Sequence, residues 1–503
     1  MPDKFYITTA IAYVNSKPHV GFAMEIVQAD FLARYHRLNG EDTFLLTGTD
    51  EHGSKMKQTA KALNRDIMDV VDENAETFVQ LAKILNLSND DFIRTTQARH
   101  KEGAVKFWKK LVEADDIYKK TYSGLYCVGC EAFVLEKDLV EGKCPEHQVA
   151  PELIEEENYF FKLSKYSDQV KNLIETDQLR VVPTSRKNEI LSLCEEGLQD
   201  VSFSRPKANL EWGIEVPDDP NHVMYVWCDA LTNYISALGY ATDDAKFKKY
   251  WPADVHLIGK GILRFHAGIW IGMLLSAQEA LPKAIYVHGY VTSEGKKMSK
   301  SLGNVVDPVE YVETYGAEAL RYYLLREIPS ADDGDFSKAR FDVVYKSELA
   351  NNLGNLVSRV VAMAGKYVED KVPEVVDCPQ DLAKLLEEAI GEYHKKVANF
   401  DLKSALEEVI KLTDFANKYV EDKQPWILAK TDMESVKQVM YVLLELIRHI
   451  AILLATVIPQ TSEKILAKLG LNAEHLKFAN LTWGALKQGS PLDKGENLFP
   501  RLD

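Results

Sequence analysis

The chain has 503 residues, 46% of them hydrophobic, which is enough for two to four domains with full cores. Its formal net charge of −16 argues against a protein that coats nucleic acid through bulk positive charge, although a local basic track remains compatible with it. The most apolar stretch, 439–458, contains Glu445, Arg448 and His449, which predicts a buried helix and no membrane span. Six cysteines without an apolar secretion segment indicate a reducing compartment, so a cytoplasmic location is expected.

The N-terminal region reads as a strand, a loop and a helix. Residues 5–11 form an apolar, β-branched run, and apolar residues recur at helical spacing from His19 onward. This order is typical of the opening of a nucleotide-binding α/β fold, in which the helix start binds anions through free N–H groups and the helix dipole. His19 could donate to phosphate oxygens, and Gly21 would let a ligand approach the backbone. The alternative interpretation is an ordinary helix start.

A second strand is predicted at 44–46, and polar residues follow it at 47–53. Among them, Asp50, Glu51 and His52 lie where parallel α/β folds bind ligands, at the carboxyl end of a strand. A capped turn is the alternative.

Two pairs of metal-binding residue types come next, Cys127-x2-Cys130 and Cys144-x2-His147. Three thiolates and one imidazole at this spacing supply the tetrahedral ligand set of one Zn²⁺. All four positions are filled by protein, so the zinc is expected to be structural. Free cysteines in a core are the alternative.

Apolar and aromatic residues dominate the segment from 222 to 292. Ile262, His266 and Trp270 recur at every fourth position, which predicts one face of a helix, and such a stripe is more often core than pocket. Residues 285–292 are expected to be the last strand of the nucleotide-binding sheet.

That strand leads into a lysine-rich loop at 294–304. Gly295 precedes three lysines, and the core of the loop is the run Lys297-Met298-Ser299-Lys300-Ser301. A mobile, positive, glycine-flanked loop suits a polyanion such as a triphosphate. A solvated basic turn is the alternative.

After residue 342 the pattern is helical, with amphipathic runs at 345–367, 382–399, 403–421 and 433–454 that predict a helical bundle. Asn355 and Arg359 share one helix face, and Trp426 lies at a helix break. A surface polar pair and a packed indole are the alternatives.

The run His19-Val20-Gly21-Phe22, together with the loop at 297–301, resembles the two signatures of class I aminoacyl-tRNA synthetases, and the wider match resembles the methionyl-tRNA synthetases. The resemblance implies an α/β Rossmann-type catalytic domain split by a zinc-binding insertion, followed by an all-α helical-bundle anticodon-binding domain. The implied boundaries are 1–115 and 223–292 for the two catalytic halves, 116–222 for the insertion, 293–341 for the lysine loop and linker, and 342–503 for the helical domain and tail. The insertion is too short for the hydrolytic editing domain of the related valine, isoleucine and leucine enzymes.

The activity implied is ATP-dependent ligation of methionine to tRNA(Met) through methionyl-adenylate, for translation initiation and elongation, with Mg²⁺ accompanying ATP and a monomeric enzyme expected. Two alternatives remain: a catalytically impaired tRNA-binding paralogue, and a class I synthetase for another amino acid. Two residues depart from the family pattern. Phe22 replaces a histidine that would donate to phosphate, and Gly261 replaces an acid near the ribose.

The resemblance also implies roles for individual residues. The implied catalytic residues are His19, Lys297 and Lys300. The implied ATP-binding residues are His19, Gly21, Phe22, Glu25, Gly259, Gly261, His288, Val291, Lys297 and Lys300. The implied methionine-binding residues are Ile11, Tyr13, Asp50, Trp227, Ala230, Leu231, Tyr234, Ile262, His266 and Trp270, with Asp50 on the amino group. Asn355, Arg359 and Trp426 are implied readers of the anticodon. Aromatic walls suit a thioether, and a Tyr or His hydrogen bond to sulfur would favour it over a hydrocarbon.

Overall fold

The computed structural model of the protein describes residues 3–127, 132–134, 136–145, 148–298 and 303–500. Its strands, numbered along the chain, are β1 Lys4–Thr9, β2 Ala12–Tyr13, β3 Asp42–Asp50, β4 Asp91–Arg94, β5 Ile117–Cys127, β6 Ala132–Val134, β7 Glu152–Phe161, β8 Arg180–Val182, β9 Val201–Ser202, β10 Ser204–Pro206, β11 Glu215–Val216, β12 Asp219–Met224, β13 Val255–Gly259, β14 Ala284–His288, β15 Val291–Ser293, β16 Lys296–Lys297 and β17 Gly334–Phe336.

The α-helices are α1 Val20–Leu38, α2 Ser54–Leu63, α3 Ile67–Ile84, α4 Ala98–Glu113, α5 Ser167–Glu175, α6 Thr184–Glu196, α7 Val226–Ala230, α8 Asn233–Ser236, α9 Ala245–Tyr250, α10 Ile271–Ser276, α11 Pro308–Tyr315, α12 Ala317–Arg326, α13 Lys338–Val344, α14 Asn355–Tyr367, α15 Gln380–Ala398, α16 Leu402–Lys423, α17 Pro425–Leu428, α18 Met433–Leu454 and α19 Pro459–Lys468. None of the helices in the described ranges is long and apolar enough to cross a membrane.

A seven-stranded parallel sheet forms the centre of the catalytic part. The strand order is β2-β3-β1-β13-β14-β8, and β4 pairs with β3. Its central strands are buried almost throughout, as expected of parallel strands that carry helices on both faces. The predicted α/β class is therefore confirmed.

The segment expected to be the insertion, 116–222, differs from the expectation in one respect. Strands β5, β6, β7 and β9 form an antiparallel sheet of their own, whereas β8 pairs in parallel with β14 at the edge of the central sheet. Val181 in β8 is only 3% exposed and belongs to the catalytic core. Part of this segment thus returns to the catalytic sheet, a tertiary pairing that a short strand does not reveal in sequence.

The strand predicted at 285–292 is two strands. β14 ends at His288, and β15 belongs to a separate three-stranded sheet with β16 and β17. The last strand of the central sheet therefore stops before the lysine loop, and a second small sheet supports that loop.

The C-terminal part is helical, as predicted. The expected helix at 345–367 begins with a wider π-helical turn over Tyr345–Gly354 before α14. One apolar core runs from β1 and α1 through α12 into α14, α16 and α18, so the helical part packs directly on one face of the catalytic sheet.

A buried ion pair joins these two parts. Arg321 in α12 donates to Asp30 in α1 (Nη2–Oδ2 2.6 Å) and to the carbonyls of Leu85 and Val457, and both charged side chains are inaccessible to solvent. Burial disfavours the charged form of Asp30 and would raise its pKa. The positive charges of Arg321 and Arg34 outweigh this effect and hold the pKa of Asp30 at about 2. The charge pair therefore fixes the orientation of α12 against α1.

Candidate active site

The carboxyl ends of the central parallel strands gather most of the predicted site residues. The segment from Ile11 to His19 follows β1, and Asp50 ends β3. Gly259 ends β13, and His288 ends β14. Ligands of open α/β sheets bind in this crevice. The sheet thus collects residues that are distant in sequence at one edge.

His19 caps the start of α1. Its Nδ1 accepts a hydrogen bond from the Gly21 N–H (3.0 Å). The surrounding protein desolvates the ring and lowers the pKa of His19 although part of the side chain is accessible. A neutral imidazole that accepts at Nδ1 carries its proton on Nε2. His19 therefore presents an Nε2–H donor of the kind a phosphate oxygen needs.

The expectation of free N–H groups at this helix start is wrong. The Val20 N–H donates to the Val306 carbonyl (3.1 Å), and the N–H groups of Phe22 and Ala23 donate to the His19 carbonyl (3.0 and 3.1 Å). With Gly21 bonded to His19, the protein itself uses the first four donors of the helix. The helix dipole and the His19 side chain remain to attract an anion.

Gly21 also has a different role from the expected one. A Cβ at this position would lie 2.9 Å from Cε1 of His19 and 3.9 Å from Cε of Met298. The space above Gly21 thus holds the imidazole and the lysine loop. Glycine is needed here because the capping histidine folds back over it, and the contact brings the two signature segments together.

The described part of the lysine loop is a β-hairpin. β15 and β16 pair with Thr292 opposite Lys297, and the two turn residues between them, Glu294 and Gly295, have φ of 50° and 75°. The Gly295 N–H donates to Asp335 Oδ1 (2.7 Å), which ties the turn to β17. Lys297 is exposed, and Lys300 lies outside the described residues. The pairing of β15 with β17 thus anchors the first part of the loop.

Phe22 is a packing residue. Its ring meets Phe78 of α3 edge to face, with centroids 5.0 Å apart and an interplanar angle of 78°. It also packs against the apolar cores on both sides of α1. The departure from the family histidine therefore exchanges a polar side chain for an apolar contact between α1 and α3.

Glu25, His288 and Gly259 form one cluster. His288 Nε2 lies 2.8 Å from Glu25 Oε2, and His288 Nδ1 lies 2.7 Å from the Gly289 carbonyl. Since the carbonyl requires an Nδ1–H donor, Nε2 is the atom of His288 that pairs with the glutamate. Glu25 Oε1 is buried and has no hydrogen-bond partner among the described residues, so it is an unused acceptor beside His288. Val291 is buried at the start of β15.

The predicted methionine pocket is a cluster of aromatic side chains. Trp227 stacks on Phe265 (3.9 Å, 9°) and meets His266 edge to face, and Tyr234 contacts both His266 and Trp270. The same core includes Leu231 and the half-buried Ile11, Tyr13, Trp227 and Ile262. Ala230 is buried beside them, and Tyr13 pairs with Asp50 across β2 and β3. The structure thus brings the predicted residues to one region.

In this pocket, Tyr234 and His266 do not offer the free hydrogen-bond donor that was expected for the sulfur of methionine. Burial lowers the pKa of His266 to about 4, so the ring is neutral near pH 7. Its Nδ1–H donates to the Ile262 carbonyl (2.9 Å), and the Tyr234 hydroxyl donates to its Nε2 (2.7 Å). Both predicted donors are therefore used within the protein.

The predicted helix face at 262, 266 and 270 is also modified. A 3₁₀ turn, Lys260–Ile262, precedes a π-helical turn, Phe265–Trp270, and α10 follows. Trp270 is fully buried and donates from Nε1 to His256 (3.2 Å). Trp270 therefore packs against Tyr234 from the interior of the protein. π-Helical turns are frequent at functional sites because they re-aim side chains.

A buried cluster of Asp229, His52 and His100 was not predicted from the sequence. Asp229 Oδ2 lies 2.6 Å from His52 Nδ1, and Oδ1 lies 2.7 Å from His100 Nε2. Burial opposes the Asp229 carboxylate, but the two histidines hold its pKa at about 2. The cluster joins α7 to the polar segment after Asp50. An aspartate inside the apolar run 223–231 was the signal available in the sequence.

The predicted anticodon residues lie on neighbouring helices. Arg359 in α14 donates to Glu421 (2.7 Å), and its guanidinium carbon is 6.0 Å from the ring centre of Trp426. Trp426 is 38% exposed in α17, and Asn355 begins α14 one turn before Arg359. An accessible indole beside an arginine and an amide forms a surface suited to unstacked bases.

Two of the four predicted zinc ligands lie within the described residues. Cys127 ends β5, and Cys144 follows a turn closed between Val140 and Lys143; the two cysteines are 2% and 1% exposed. Their neighbours at 136–145 are mostly exposed, so buried thiols here fit a ligand role. Cys130 and His147 lie outside the described residues, and the remainder contains no group of three or more potential ligands. The four-residue site therefore stays a prediction.

Family models cover almost the whole chain. The model described as tRNA synthetases class I (M) matches residues 5–152 and 146–361. The model described as the anticodon-binding domain of methionyl tRNA ligase matches residues 372–503.

The chain belongs to the class I tRNA synthetases of the methionyl type.

Curated relatives and solved structures agree with this assignment. Methionine–tRNA ligase of Caldanaerobacter subterraneus is 44% identical over all of this chain and 80% of its own length, and that of Rickettsia felis is 42% identical over 100% and 99%. Mycobacterium tuberculosis methionyl-tRNA synthetase in complex with methionyl-adenylate has a TM-score of 0.95 at 39% identity, over 99% of this chain and all of that one. The free form of that enzyme has a TM-score of 0.88.

Proposed function

We propose that the chain joins methionine to tRNA(Met) at the expense of ATP, for translation initiation and elongation. The observation that carries the proposal is the close approach of the two class I signatures, because Met298 of the lysine loop lies 3.9 Å from the position that a Cβ on Gly21 would have, beside His19. This approach occurs at the carboxyl edge of the parallel sheet. A triphosphate at this edge would have its reacting phosphate near the amino-acid pocket.

The first step needs no nucleophile from the protein. A carboxylate oxygen of methionine attacks the α-phosphorus, the bond from that phosphorus to the bridging oxygen breaks, and pyrophosphate leaves. Mg²⁺ bound with ATP would neutralise part of the phosphate charge. The protein positions both substrates and stabilises developing charge. In this proposal His19 donates from Nε2 to phosphate oxygens, and Lys297 and Lys300 neutralise the leaving pyrophosphate.

The methionine half of the site combines one charge with apolar walls. Asp50 receives the ammonium group, as suits a buried carboxylate at a strand end. Trp227, Tyr234 and His266 enclose the side chain. Since Tyr234 and His266 donate to protein groups, selection for the thioether rests on shape and polarizability in this conformation.

In the second step, a ribose hydroxyl of the terminal tRNA adenosine attacks the acyl carbon and AMP leaves. We assign recognition of the CAU anticodon to Asn355, Arg359 and Trp426. The amide and guanidinium offer hydrogen bonds to base edges, and the exposed indole offers a stacking face. The exposed Glu421 would release Arg359 at little cost, because surface ion pairs contribute about 1 kcal/mol or less.

One zinc ion, held by Cys127, Cys130, Cys144 and His147, is proposed to stabilise the insertion. With four protein ligands it would have a structural role and would leave no position open for substrate. The proposed domain order keeps the expected boundaries, 1–115, 116–222, 223–292, 293–341 and 342–503, with β8 of the insertion contributing to the catalytic sheet. We further propose a monomer that acts in the cytoplasm.

Methionine-dependent ATP–pyrophosphate exchange tests the proposal, with a panel of other amino acids as the matched control. We expect exchange with methionine and with no other amino acid of the panel. We also expect the protein to charge a tRNA(Met) transcript with methionine. Exchange with another amino acid would favour a synthetase of different specificity. No exchange, together with retained tRNA binding, would favour a catalytically impaired paralogue.

A further inference from the structure

The nucleotide edge contains a tyrosine hydroxyl that no residue assignment above uses. Gly261 lies in the turn after β13, and Tyr290 lies two residues beyond β14. β13 and β14 are adjacent parallel strands, so both residues lie at the carboxyl edge beside Gly259 and His288. Nucleotides bind along this edge in α/β folds.

The Tyr290 hydroxyl occupies the space in which a side chain at 261 would begin. A Cβ at position 261 would lie 2.2 Å from Tyr290 Oη, but 3.5 Å from Cζ and 4.0 Å from Cε1. The hydroxyl oxygen alone therefore creates the conflict. Gly261 does not have a positive φ, so its backbone conformation does not require glycine. Glycine at 261 and tyrosine at 290 are thus sterically paired.

Tyr290 is held in place from several sides. Its N–H donates to Asp333 Oδ1 (2.8 Å), and its carbonyl accepts from the Gly334 N–H (3.0 Å). Lys260 Nζ lies 4.5 Å from the ring centre and also bonds Asp333 (2.7 Å). Lys260 thus lies against one face of the ring, and the hydroxyl lies over Gly261 at the carboxyl edge of the sheet.

We infer that the Tyr290 hydroxyl contacts the ribose of ATP and takes the position that a side chain at 261 would otherwise have. A neutral phenol both donates and accepts, which matches a sugar hydroxyl better than a phosphate. Glu25 Oε1, buried at the same edge with no partner among the described residues, is an acceptor for a second sugar hydroxyl. The inference rests on the proposed function for its substrate, ATP.

The first test compares nucleotides in the methionine-dependent exchange assay. Tyr290→Phe is expected to raise the KM for ATP about tenfold, the size of one net hydrogen bond, with a small effect on kcat. One of the two analogues, 2′-deoxy-ATP or 3′-deoxy-ATP, lacks the sugar hydroxyl that Tyr290 contacts. With that analogue, the wild-type protein and Tyr290→Phe should have the same KM. Tyr367→Phe, a half-buried tyrosine of α14, is the matched control and should change neither value.

The second test exchanges the paired residues. Gly261→Asp alone should weaken ATP binding by more than tenfold, because its Cβ meets the hydroxyl. Gly261→Asp combined with Tyr290→Phe should bind ATP no more weakly than Tyr290→Phe alone, since the Cβ then makes ordinary contacts with the ring. An additive loss in the double variant would overturn the steric pairing.

An unchanged KM for ATP in Tyr290→Phe, or an equal rise for ATP and both deoxy analogues, would overturn the ribose contact. Calorimetric titration with ATP alone separates this inference from the proposed function. If the wild-type protein binds ATP with the predicted Tyr290 dependence but supports no exchange with methionine, the proposed function fails and the contact stands.

Discussion

Gly21→Ala is expected to leave the fold intact and to impair methionine activation. Alanine is a better helix former than glycine by about 1 kcal/mol, so α1 itself should tolerate the change. The new Cβ, however, would lie 2.9 Å from Cε1 and 3.0 Å from Nδ1 of His19. Ordinary contacts begin near 3.4 Å, so the imidazole must move by about 0.5 Å and its bond to the Gly21 N–H is broken.

A misplacement of about 1 Å can cost about 100-fold in rate, so a shift of about 0.5 Å in a phosphate-contacting group is expected to cost about tenfold, or about 1.4 kcal/mol of transition-state stabilisation. Methionine-dependent ATP–pyrophosphate exchange measures the loss, and thermal unfolding checks the fold. Gly391→Ala in α15 is the matched control, because nothing lies within 4 Å of its Cβ position. It should stabilise the protein slightly and leave exchange unchanged.

A double variant that combines Gly21→Ala with His19→Ala tests whether the loss of activity comes from displacement of His19. If Gly21 acts through His19, the double variant should be no slower than His19→Ala alone. Exchange within twofold of wild type in Gly21→Ala would refute the reasoning, and so would losses that multiply in the double variant.

Three further predictions concern the ion pair, the methionine pocket and the helical domain. Arg321→Met should lower the free energy of unfolding by about 3 kcal/mol in urea titrations, because it leaves the buried Asp30 carboxylate with Arg34 as its remaining arginine and removes the donor to two buried carbonyls. Burial lowers the pKa of His266 from an ordinary 6.5 to about 4. Between pH 6.5 and pH 4, this histidine therefore binds a proton in the unfolded chain but not in the folded protein. His266 should therefore make stability fall as the pH falls from about 6.5 to 4, by up to about 1.4 kcal/mol per pH unit, and His266→Gln should remove this share of the dependence while those of His256 and His449 remain. Trp426→Ala should raise the KM for tRNA(Met) about 5- to 150-fold while leaving methionine exchange unchanged, since a lost stacking contact costs about 1–3 kcal/mol.

Each of these predictions has a matched control. Arg340→Met removes an ion pair whose arginine is half exposed and should change stability by less than about 1 kcal/mol. His475→Gln alters a partly exposed histidine outside the pocket and is the control for the loss of a histidine as such. Ile427→Ala, beside Trp426 and 52% exposed, should leave tRNA binding nearly unchanged. Equal effects in a variant and its control would contradict the corresponding explanation.

The local elements and the type of chemistry could be predicted from the sequence alone. Residues 5–11 predict a strand because their apolar run can be buried on both faces, and the repeats after 342 predict amphipathic helices. The signatures at 19–22 and 297–301 indicate phosphate chemistry, because imidazole and lysine are suitable donors for it. These inferences hold because periodicity and residue type are local properties of the chain.

Pairings between distant segments required the tertiary structure. Glu25 bonds to His288, and Asp229 lies between His52 and His100. No local pattern indicates that Tyr234 uses its donor on His266, or that the Tyr290 hydroxyl occupies the space above Gly261. Sequence thus determined which donors and acceptors the chain has. Only the register of strands and helices decided which of them the protein satisfies internally and which remain for substrate.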